Sequence, residues 1–368
     1  MTKPNPQNER VKYFYFTFLR EAHGRDEATI DRIAASLARF EASTKWRDDF
    51  SRFHREQAVA FKAKMAEALN CRTGERLSKS TLLSTLRDLR AFFLWLAQQQ
   101  GYRSKIAFSD ADYFNLSDKD VAIARASRKP DPPTIEQMQQ VLESMPVGTV
   151  FERRDRALVA TACLTGARAK ALVTLRLGHL SLDGGYIDQD ARSVDTKFAK
   201  TIRADFHRLV PGAVEILEAW CSELRCLSWG PGDPLFPQTE IGLSDDGGFK
   251  PIRLARKGWA SSQPVRDVFK RAFKIAGLPY TNPHQMRDML VHAYMAMDLT
   301  PAQLKAVSQS LGHADVLTTF TSYGQLSPHR QGELIASISI AQARGASDPV
   351  ADLEAALIRL KTDRHARF

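Results

Sequence analysis

Cysteine and long apolar runs are both scarce in this sequence. Its 368 residues include only four cysteines, and none forms a Cys-x-x-Cys pair with histidine partners. This pattern argues against a disulfide framework and a cysteine-based zinc site, so we expect reduced, mostly buried thiols. The chain has no apolar run of the length, about 18 residues, that a membrane-spanning helix needs. Residues 1–6 also lack the apolar stretch of a signal peptide. We therefore expect a soluble, cytoplasmic protein.

Acidic residues are too few to balance the basic ones. The chain has 52 Lys and Arg against 42 Asp and Glu, a net charge of +10 and a pI near 9.5. Residues 1–133 carry +7 of this excess and residues 134–368 carry +3. A basic excess favours a polyanionic partner such as nucleic acid, although a surface that is merely basic and solvated has the same balance.

The first third of the chain has the periodicity of packed helices. Apolar residues recur every three to four positions in about four segments, from the aromatic-rich stretch 11–20 to the stripe 82–96. Ser78 and Thr81 predict the N-terminal cap of the last segment. We predict an all-helical domain at residues 1–124, whose basic side chains would contact DNA phosphates or form a solvated face. These side chains are Lys45, Arg47, Arg52, Arg55, Lys62, Lys64, Arg72, Arg76, Lys79, Arg87 and Arg90.

A proline-rich segment, residues 125–133, follows this domain. Its three prolines prevent helix formation and keep the backbone extended, which predicts an interdomain linker. Thr134 then starts a helix with a capping-box pattern. We predict a second domain at residues 134–342 and a tail at residues 343–368. An amphipathic helix at 348–361 would dock on a neighbouring protomer or pack on its own domain.

Strand patterns are confined to the middle of the second domain. Residues 180–187 predict a strand, a turn and a strand, and residues 194–210 predict a second hairpin with its bend near 198–199. Lys197 and Lys200 flank that bend, where they would enter a groove or protect an exposed edge. Residues 230–251, rich in Gly, Pro and Asp, predict a surface loop. The predicted fold is mainly α, with a small antiparallel β-sheet in the second domain.

Tyr323 is the candidate nucleophile. A phenol with a pKa of about 10 reacts poorly at neutral pH, so it needs positive charge and a proton-transfer partner. Arg168 follows a Gly-Ala pair at a predicted helix start, where the helix dipole also favours an anion. His284 and Arg287 are three residues apart and share a helix face, and His313 precedes the tyrosine. Each of these residues taken alone is more often structural.

Taken in order, the motifs Thr-Gly-Ala-Arg, Pro-His-Gln-Met-Arg and Leu-Gly-His followed by Tyr resemble the tyrosine recombinase (phage integrase) family over residues 134–330. The resemblance implies the catalytic fold of that family, with a helical DNA-clamp domain before it. It implies a site-specific recombinase that cuts and rejoins DNA through a 3′-phosphotyrosine as the integrase of a mobile element. Double-stranded DNA would be the partner, bound by a homo-tetramer with a dimer on each site. No metal or cofactor is implied, and the protein would act at the nucleoid.

The resemblance also implies roles for the candidate residues. Arg168 and Arg287 would clamp the phosphate oxygens where negative charge develops. His284 would assist proton movement at the nucleophile, and His313 would hydrogen-bond the scissile phosphate. The implied catalytic set is Arg168, Lys200, His284, Arg287, His313 and Tyr323.

The general acid has two candidates, and two positions depart from the family pattern. Matching Lys-Thr-Ile-Arg to the family favours Lys200 as the acid for the leaving 5′ oxygen, with Lys197 as the alternative. Ala171 stands where the family usually has an acidic residue, so support for the active-site cluster must come from elsewhere or be weaker. The interval from His313 to Tyr323 is one residue longer than the common spacing, which implies a bulge or a shifted turn.

Two other functions are compatible with these residues. A type IB topoisomerase would use similar chemistry but would relax supercoils without pairing two sites, and the tail after Tyr323 argues for recombination instead. A DNA-binding protein that has lost catalysis is the other alternative. Retention of the whole candidate set argues against it.

Overall fold

The computed structural model describes residues 4–46, 48–70, 73–126, 131–196, 200–243, 247–297, 299–313 and 331. The chain divides into two compact units, residues 1–129 and 130–368. This division falls inside the segment predicted as a linker. The finer domain limits at residues 124, 134 and 342 stay predictions, and the predicted tail at 343–368 lies outside the described residues.

The described part of the first unit is helical, as predicted. Its helices are α1 (Pro6–Glu21), α2 (Glu27–Ser43), α3 (Arg55–Glu67), α4 (Lys79–Leu96), α5 (Phe108–Ala111) and α6 (Asp118–Arg125). Helices α1, α2, α4 and α6 each begin after an Asn, Asp or Ser whose side chain accepts a backbone N–H of the first turn. The predicted cap at Ser78 is confirmed, because its hydroxyl accepts the N–H of Thr81 at 3.2 Å.

Phenylalanine rings form the centre of the first unit. Phe93 on α4 stacks on Phe53 with ring centroids 3.8 Å apart, and Phe53 stacks on Phe114 at 5.3 Å. Phe40 on α2 meets Phe93 edge-on at 5.4 Å. All four rings are buried. Since each buries roughly 150–250 Å² of surface, these contacts hold α2 and α4 together.

The second unit contains helices around two small antiparallel sheets. Its described helices are α7 (Ile135–Ser144), α8 (Val150–Thr165), α9 (Ala169–Thr174), α10 (Ala213–Cys226), α11 (Gln263–Ile275), α12 (Gln285–Met295) and α13 (Pro301–Ser310). Its described strands are β1 (Leu180–Ser181), β2 (Tyr186–Gln189), β3 (Ile202–Asp205), β4 (Pro237–Leu243) and β5 (Phe249–Gly258). The predicted fold class, mainly α with a small antiparallel sheet, is confirmed. The capping box predicted at Thr134 is also present at the start of α7.

Helix α8 is the central element of the second unit. Every residue from Ala157 to Thr165 is buried, because this run is apolar on all faces. The hydroxyls of Thr161 and Thr165 donate to the carbonyl oxygens one turn earlier, at 2.8 and 2.7 Å, so burial leaves them satisfied. Helices α7, α10, α11 and α12 and strand β3 pack against α8. Helix α8 is therefore a rigid element of the core, and this packing fixes the position of its C-terminal end at Thr165.

The first predicted hairpin is confirmed, and the second is wrong. Strands β1 and β2 pair antiparallel as expected, but β3 pairs with β2, in the register Gln189 to Ile202. The segment expected as the first strand of the second hairpin forms turns over residues 190–196, where the carbonyl oxygen of Asp190 accepts the N–H groups of Ser193 and Val194 at 2.9 and 2.8 Å. Local turn formation at this aspartate is stronger than the weak alternation after it. Lys197 and the bend at 198–199 lie outside the described residues.

The loop predicted at residues 230–251 is also wrong in its second half. Strands β4 and β5 form a long two-stranded ribbon there. Pro251, which argued against a strand, lies in β5 opposite Ile241, beside a register shift. A bulge tolerates a residue without an N–H, which is why a proline stands inside this strand. Among the described residues, no helix is both long and apolar enough to cross a membrane.

Candidate active site

The Arg287 guanidinium is the centre of the candidate site. Arg287 lies in the first turn of α12, and only 3% of its surface is exposed. Its Nη1 donates to the carbonyl oxygen of Gly166 at 2.8 Å, and its Nη2 donates to the carbonyl oxygen of Leu311. Gly166 ends α8 and Leu311 ends α13. One side chain thus joins the ends of two helices that are far apart in sequence.

Gly166 gives Arg287 the space it occupies. The glycine caps α8 with φ 56°, a left-handed conformation that side chains disfavour. A Cβ at this position would lie 2.8 Å from Leu311 Cδ2 and 3.3 Å from Arg287 Cγ. The Gly-Ala pair before Arg168 therefore lies in a tightly packed turn, with side chains of the protein itself against Gly166.

His313 contacts the same guanidinium. Its Nε2 lies 3.2 Å from Arg287 Nη2. Since a guanidinium can only donate, Nε2 is the acceptor and the proton of the neutral ring is on Nδ1. Burial, followed by the charges of Arg287, Arg168 and His284, lowers the pKa of His313 to about 4. The imidazole is therefore neutral at pH 7, which agrees with its accepting role.

Arg168 and His284 are close enough to act on His313 electrostatically. Arg168 is half-buried and occupies the N-terminal cap of α9, directly after the glycine turn. His284 is exposed at the N-terminal cap of α12, and its backbone N–H donates to Asn282 Oδ1 at 3.1 Å. Both residues lower the pKa of His313 electrostatically, Arg168 more than His284. The structure thus brings together four of the six candidate residues in one electropositive cluster.

Lys200 reaches this cluster from the sheet. It is exposed just before β3, and it lines a cleft of about 490 Å³ together with Ser310, Gly312 and His313. Gly312 has φ 68°, and a Cβ there would lie 2.8 Å from Ile202 Cγ1, so β3 approaches the end of α13 at a glycine. Tyr323 and the alternative acid Lys197 lie outside the described residues.

Support for the cluster comes from backbone carbonyls. Ala171, at the position where we noted a missing acidic residue, is buried in α9. The carbonyl oxygens of Gly166 and Leu311 accept from Arg287. They supply fixed acceptors for a buried cation, which otherwise carries a large desolvation cost.

Sequence reasoning missed a buried histidine next to the cluster. His207 is 5% exposed, with Nδ1 3.0 Å from the Tyr294 hydroxyl and Nε2 3.3 Å from Ser310 Oγ. Burial lowers the pKa of His207 to about 4, Asp205 opposes this shift and Arg287 adds to it. The only signal in the sequence was a lone histidine inside the segment predicted as the second hairpin, residues 194–210, and such a histidine is more often structural.

Several basic residues of the first unit remain exposed. Arg52, Lys64, Arg76 and Arg87, from the set proposed to contact DNA, are exposed. Arg55, Lys79 and Arg90 instead form ion pairs on their own surface with Glu56, Asp120 and Asp112. The first set is therefore the better candidate for phosphate contacts.

Comparison with known proteins gives consistent matches. Residues 133–330 match the model of the phage integrase family. Tyrosine recombinase XerC of Lactobacillus delbrueckii subsp. bulgaricus is 27% identical over 251 residues, which cover 67% of this chain and 72% of the relative. XerC of Xylella fastidiosa strain M23 is 25% identical over 315 residues, covering 83% of this chain and 88% of the relative.

Solved structures match the fold. A lambda integrase dimer bound to a core site, residues 75–356, superposes with a TM-score of 0.57 and 15% identity, covering 86% of this chain and 95% of that one. The Tn1549 transposon integrase in complex with circular intermediate DNA has a TM-score of 0.52 and 16% identity, covering 89% and 99%. At these identities the likeness concerns the fold alone.

The substitution Gly166→Ala should destabilise the second unit by about 2–4 kcal/mol, from left-handed strain plus overpacking against Leu311 and Arg287. Urea unfolding of the full chain measures the loss. Gly212→Ala is the matched control, because Gly212 has φ 75° with nothing within 4 Å of its added Cβ. That control should lose only the strain component, about 1–2 kcal/mol. Equal losses in the two variants would contradict tight packing around Gly166.

Stability should also fall as pH falls through the window set by His207. Its folded pKa of about 4 lies below the ordinary value of about 6.5, so the unfolded chain binds the proton first. The contribution is complete above pH 6.5 and is lost as pH falls towards 4, by about 2 kcal/mol at pH 5. His207→Gln should shrink this loss, whereas His23→Gln, at an exposed position, should not. Urea unfolding at pH 7 and pH 5 tests this, and parallel losses in wild type and His207→Gln would refute it.

Proposed function

The chain belongs to the phage integrase family, the tyrosine-type site-specific recombinases, and from this premise we propose that it cuts and rejoins DNA through a 3′-phosphotyrosine formed by Tyr323. The biological setting that we propose is the integration or excision of a mobile element. The observation that carries the proposal is the cluster around Arg287, where His313 contacts the guanidinium and senses the charges of Arg168 and His284.

The two arginines would stabilise the phosphate during attack. Tyr323 attacks phosphorus, the bond to the 5′ oxygen breaks, and the negative charge of the pentavalent state develops on the non-bridging oxygens. Guanidiniums bind such oxygens through fixed, charge-assisted hydrogen bonds. Arg287 is held in place by two carbonyl oxygens, so its orientation needs little reorganisation when the phosphate binds. Losing one such donor typically lowers the rate about 10²–10³-fold.

His313 would donate to the phosphate in its neutral form. Its Nε2 accepts from Arg287, which leaves the proton on Nδ1 as the donor. A pKa of about 4 keeps the ring neutral at neutral pH, and the hydrogen bond from Arg287 selects this tautomer. His284, exposed at the N-terminal cap of α12, would move the proton away from Tyr323. Lys200, across the cleft from His313, would protonate the departing 5′ oxygen.

Double-stranded DNA is the proposed partner of both units. The exposed cations Arg52, Lys64, Arg76 and Arg87 support phosphate contacts by the first unit. Lambda integrase was solved as a dimer bound to a core site, and the Tn1549 integrase was solved in complex with circular intermediate DNA. By analogy, we propose a dimer on each site and a homo-tetramer when two sites pair.

Covalent capture of nicked DNA tests the nucleophile. The probe is a duplex enriched from a random-sequence pool by binding to the protein, then nicked at successive positions so that cleavage is trapped. We expect an SDS-resistant protein–DNA adduct with the wild-type chain and none with Tyr323→Phe, because the phenyl ring has no oxygen to attack phosphorus. Tyr280→Phe removes the hydroxyl of a half-exposed tyrosine and should still form the adduct.

The same assay separates the alternatives. Absence of an adduct with the wild-type chain would reduce the protein to DNA binding. An adduct accompanied by supercoil relaxation but no strand exchange between two sites would assign it to the topoisomerases. Retention of the adduct by Tyr323→Phe would refute Tyr323 as the nucleophile.

A sulfur substitution at the leaving atom identifies the general acid. Lys200→Ala should slow cleavage of ordinary DNA by about 10²–10⁴-fold. DNA with sulfur in place of the scissile 5′ oxygen should restore the rate, because a thiolate leaves without protonation. Lys197→Ala is the paired variant and should be slowed little by either substrate. If the sulfur substrate restored the cleavage rate of Lys197→Ala but not that of Lys200→Ala, Lys197 would be the general acid.

A further inference from the structure

His207 lies where four elements of the second unit meet. It lies two residues after the end of β3, and its backbone N–H donates to the carbonyl oxygen of Leu164 in α8 at 2.6 Å. One ring nitrogen contacts the Tyr294 hydroxyl on α12 at 3.0 Å, and the other contacts Ser310 Oγ on α13 at 3.3 Å. The imidazole is therefore hydrogen-bonded on both sides, between two helices that carry the candidate site.

Ser310 links His207 both to strand β3 and to the end of α13. Its Oγ accepts the backbone N–H of Asp205 in β3 at 2.9 Å, so the strand that follows Lys200 is fastened to the end of α13. Three residues later is His313, whose own backbone N–H donates back to the carbonyl oxygen of Ser308 at 3.0 Å. The last turn of α13 is thus held by His207 on one side and by Arg287, through Leu311, on the other.

A histidine is an unusual choice for a position that is 5% exposed. Burying an imidazole costs free energy that a well-packed apolar side chain would not incur, unless its hydrogen bonds are made. Apolar contacts are non-directional, whereas hydrogen bonds restrict distance and angle. Directional contacts are needed where a site must hold its groups to within about 0.5 Å. The hydrogen bonds of the His207 ring therefore restrict the geometry around it, which an apolar side chain of similar size would not do.

We infer that His207 is a positioning residue, which acts through Ser310 to set the separation of Lys200 and His313 across the cleft. The inference rests on the proposed function, because it concerns where the general acid and the phosphate-binding histidine stand relative to one another. In this role His207 itself touches neither DNA nor the reacting atoms.

The charges around His207 agree with a neutral ring. Asp205 on β3 favours the protonated form, whereas burial and Arg287 on α12 disfavour it, and the balance lowers the pKa to about 4. Either neutral tautomer can bond both hydroxyls, because Tyr294 and Ser310 each donate or accept. The contact with Ser310 therefore persists at neutral pH without placing a second cation beside Arg287.

Single-turnover cleavage of the nicked duplex described above tests this inference, with DNA binding measured separately by fluorescence anisotropy. His207→Gln and Ser310→Ala should each slow cleavage by about tenfold to a hundredfold, as misplacement of catalytic groups does, with DNA affinity unchanged. The double variant should be no slower than the slower single variant, because Ser310→Ala already removes the contact through which His207 acts. Tyr294→Phe removes only the contact on the opposite side of the ring and should be slowed less.

The acid side of the pH–rate profile provides a second readout. When the end of α13 is released, His313 should gain solvent and its pKa should rise from about 4 towards 6.5. The acid limb of His207→Gln should therefore move to higher pH. Val141→Ala, a fully buried position on α7, is the stability control. It should leave both the limb and the rate unchanged.

Wild-type cleavage rates in His207→Gln and Ser310→Ala, effects that multiply in the double variant, or an equal loss in Val141→Ala would each overturn the role of His207. These results would leave the proposed function standing, since the wild-type adduct is measured in the same experiment. A wild-type chain that forms no adduct would overturn the proposed function and this inference with it.

Discussion

The hydrogen bonds of Arg287 are the interaction on which the candidate site depends. A buried guanidinium carries a large desolvation cost, and removal of its acceptors would leave an uncompensated charge. The acceptors are the carbonyl oxygens of Gly166 and Leu311, at the ends of α8 and α13. Helix carbonyl ends are electronegative and have no partner within the helix. Arg287 satisfies one carbonyl oxygen at each end and fixes both ends to the start of α12.

Burial and the neighbouring groups of the cluster keep the imidazole of His313 neutral. Arg287, Arg168 and His284 all disfavour protonation of His313, so the cluster limits its own positive charge by keeping one imidazole neutral. On the proposed function, a DNA phosphate provides the compensating negative charge, and the neutral His313 adds a donor without adding repulsion. His207 is also kept neutral, chiefly by burial, and Arg287 adds to this effect. On that proposal, the fixed donors of the cluster would stabilise a bound phosphate.

Two glycines determine how closely these parts approach. Gly166 and Gly312 both have left-handed φ values, and a side chain at either would collide with a neighbour, Leu311 in the first case and Ile202 in the second. The first glycine admits Arg287 and the second admits β3, which carries Lys200 at its start. The glycine of the Leu-Gly-His motif is therefore explained by packing against the sheet, and that of the Thr-Gly-Ala-Arg motif by the space that Arg287 needs.

Local patterns in the sequence predicted the main helices and several of their caps, because amphipathic periodicity and capping chemistry act over a few neighbouring positions. These local patterns did not predict the strand pairing, which depends on contacts distant in sequence. Strand β3 pairs with β2, and Pro251 lies in a strand because a bulge tolerates it. The ordered motifs identified Arg168, His284, Arg287 and His313 as a set. Only the tertiary structure joined them, since the bond of Arg287 to the carbonyl oxygen of Gly166 and the contact of His207 with Ser310 link positions 121 and 103 residues apart. No spacing in a single sequence encodes such contacts, because they exist only after helices and strands have packed.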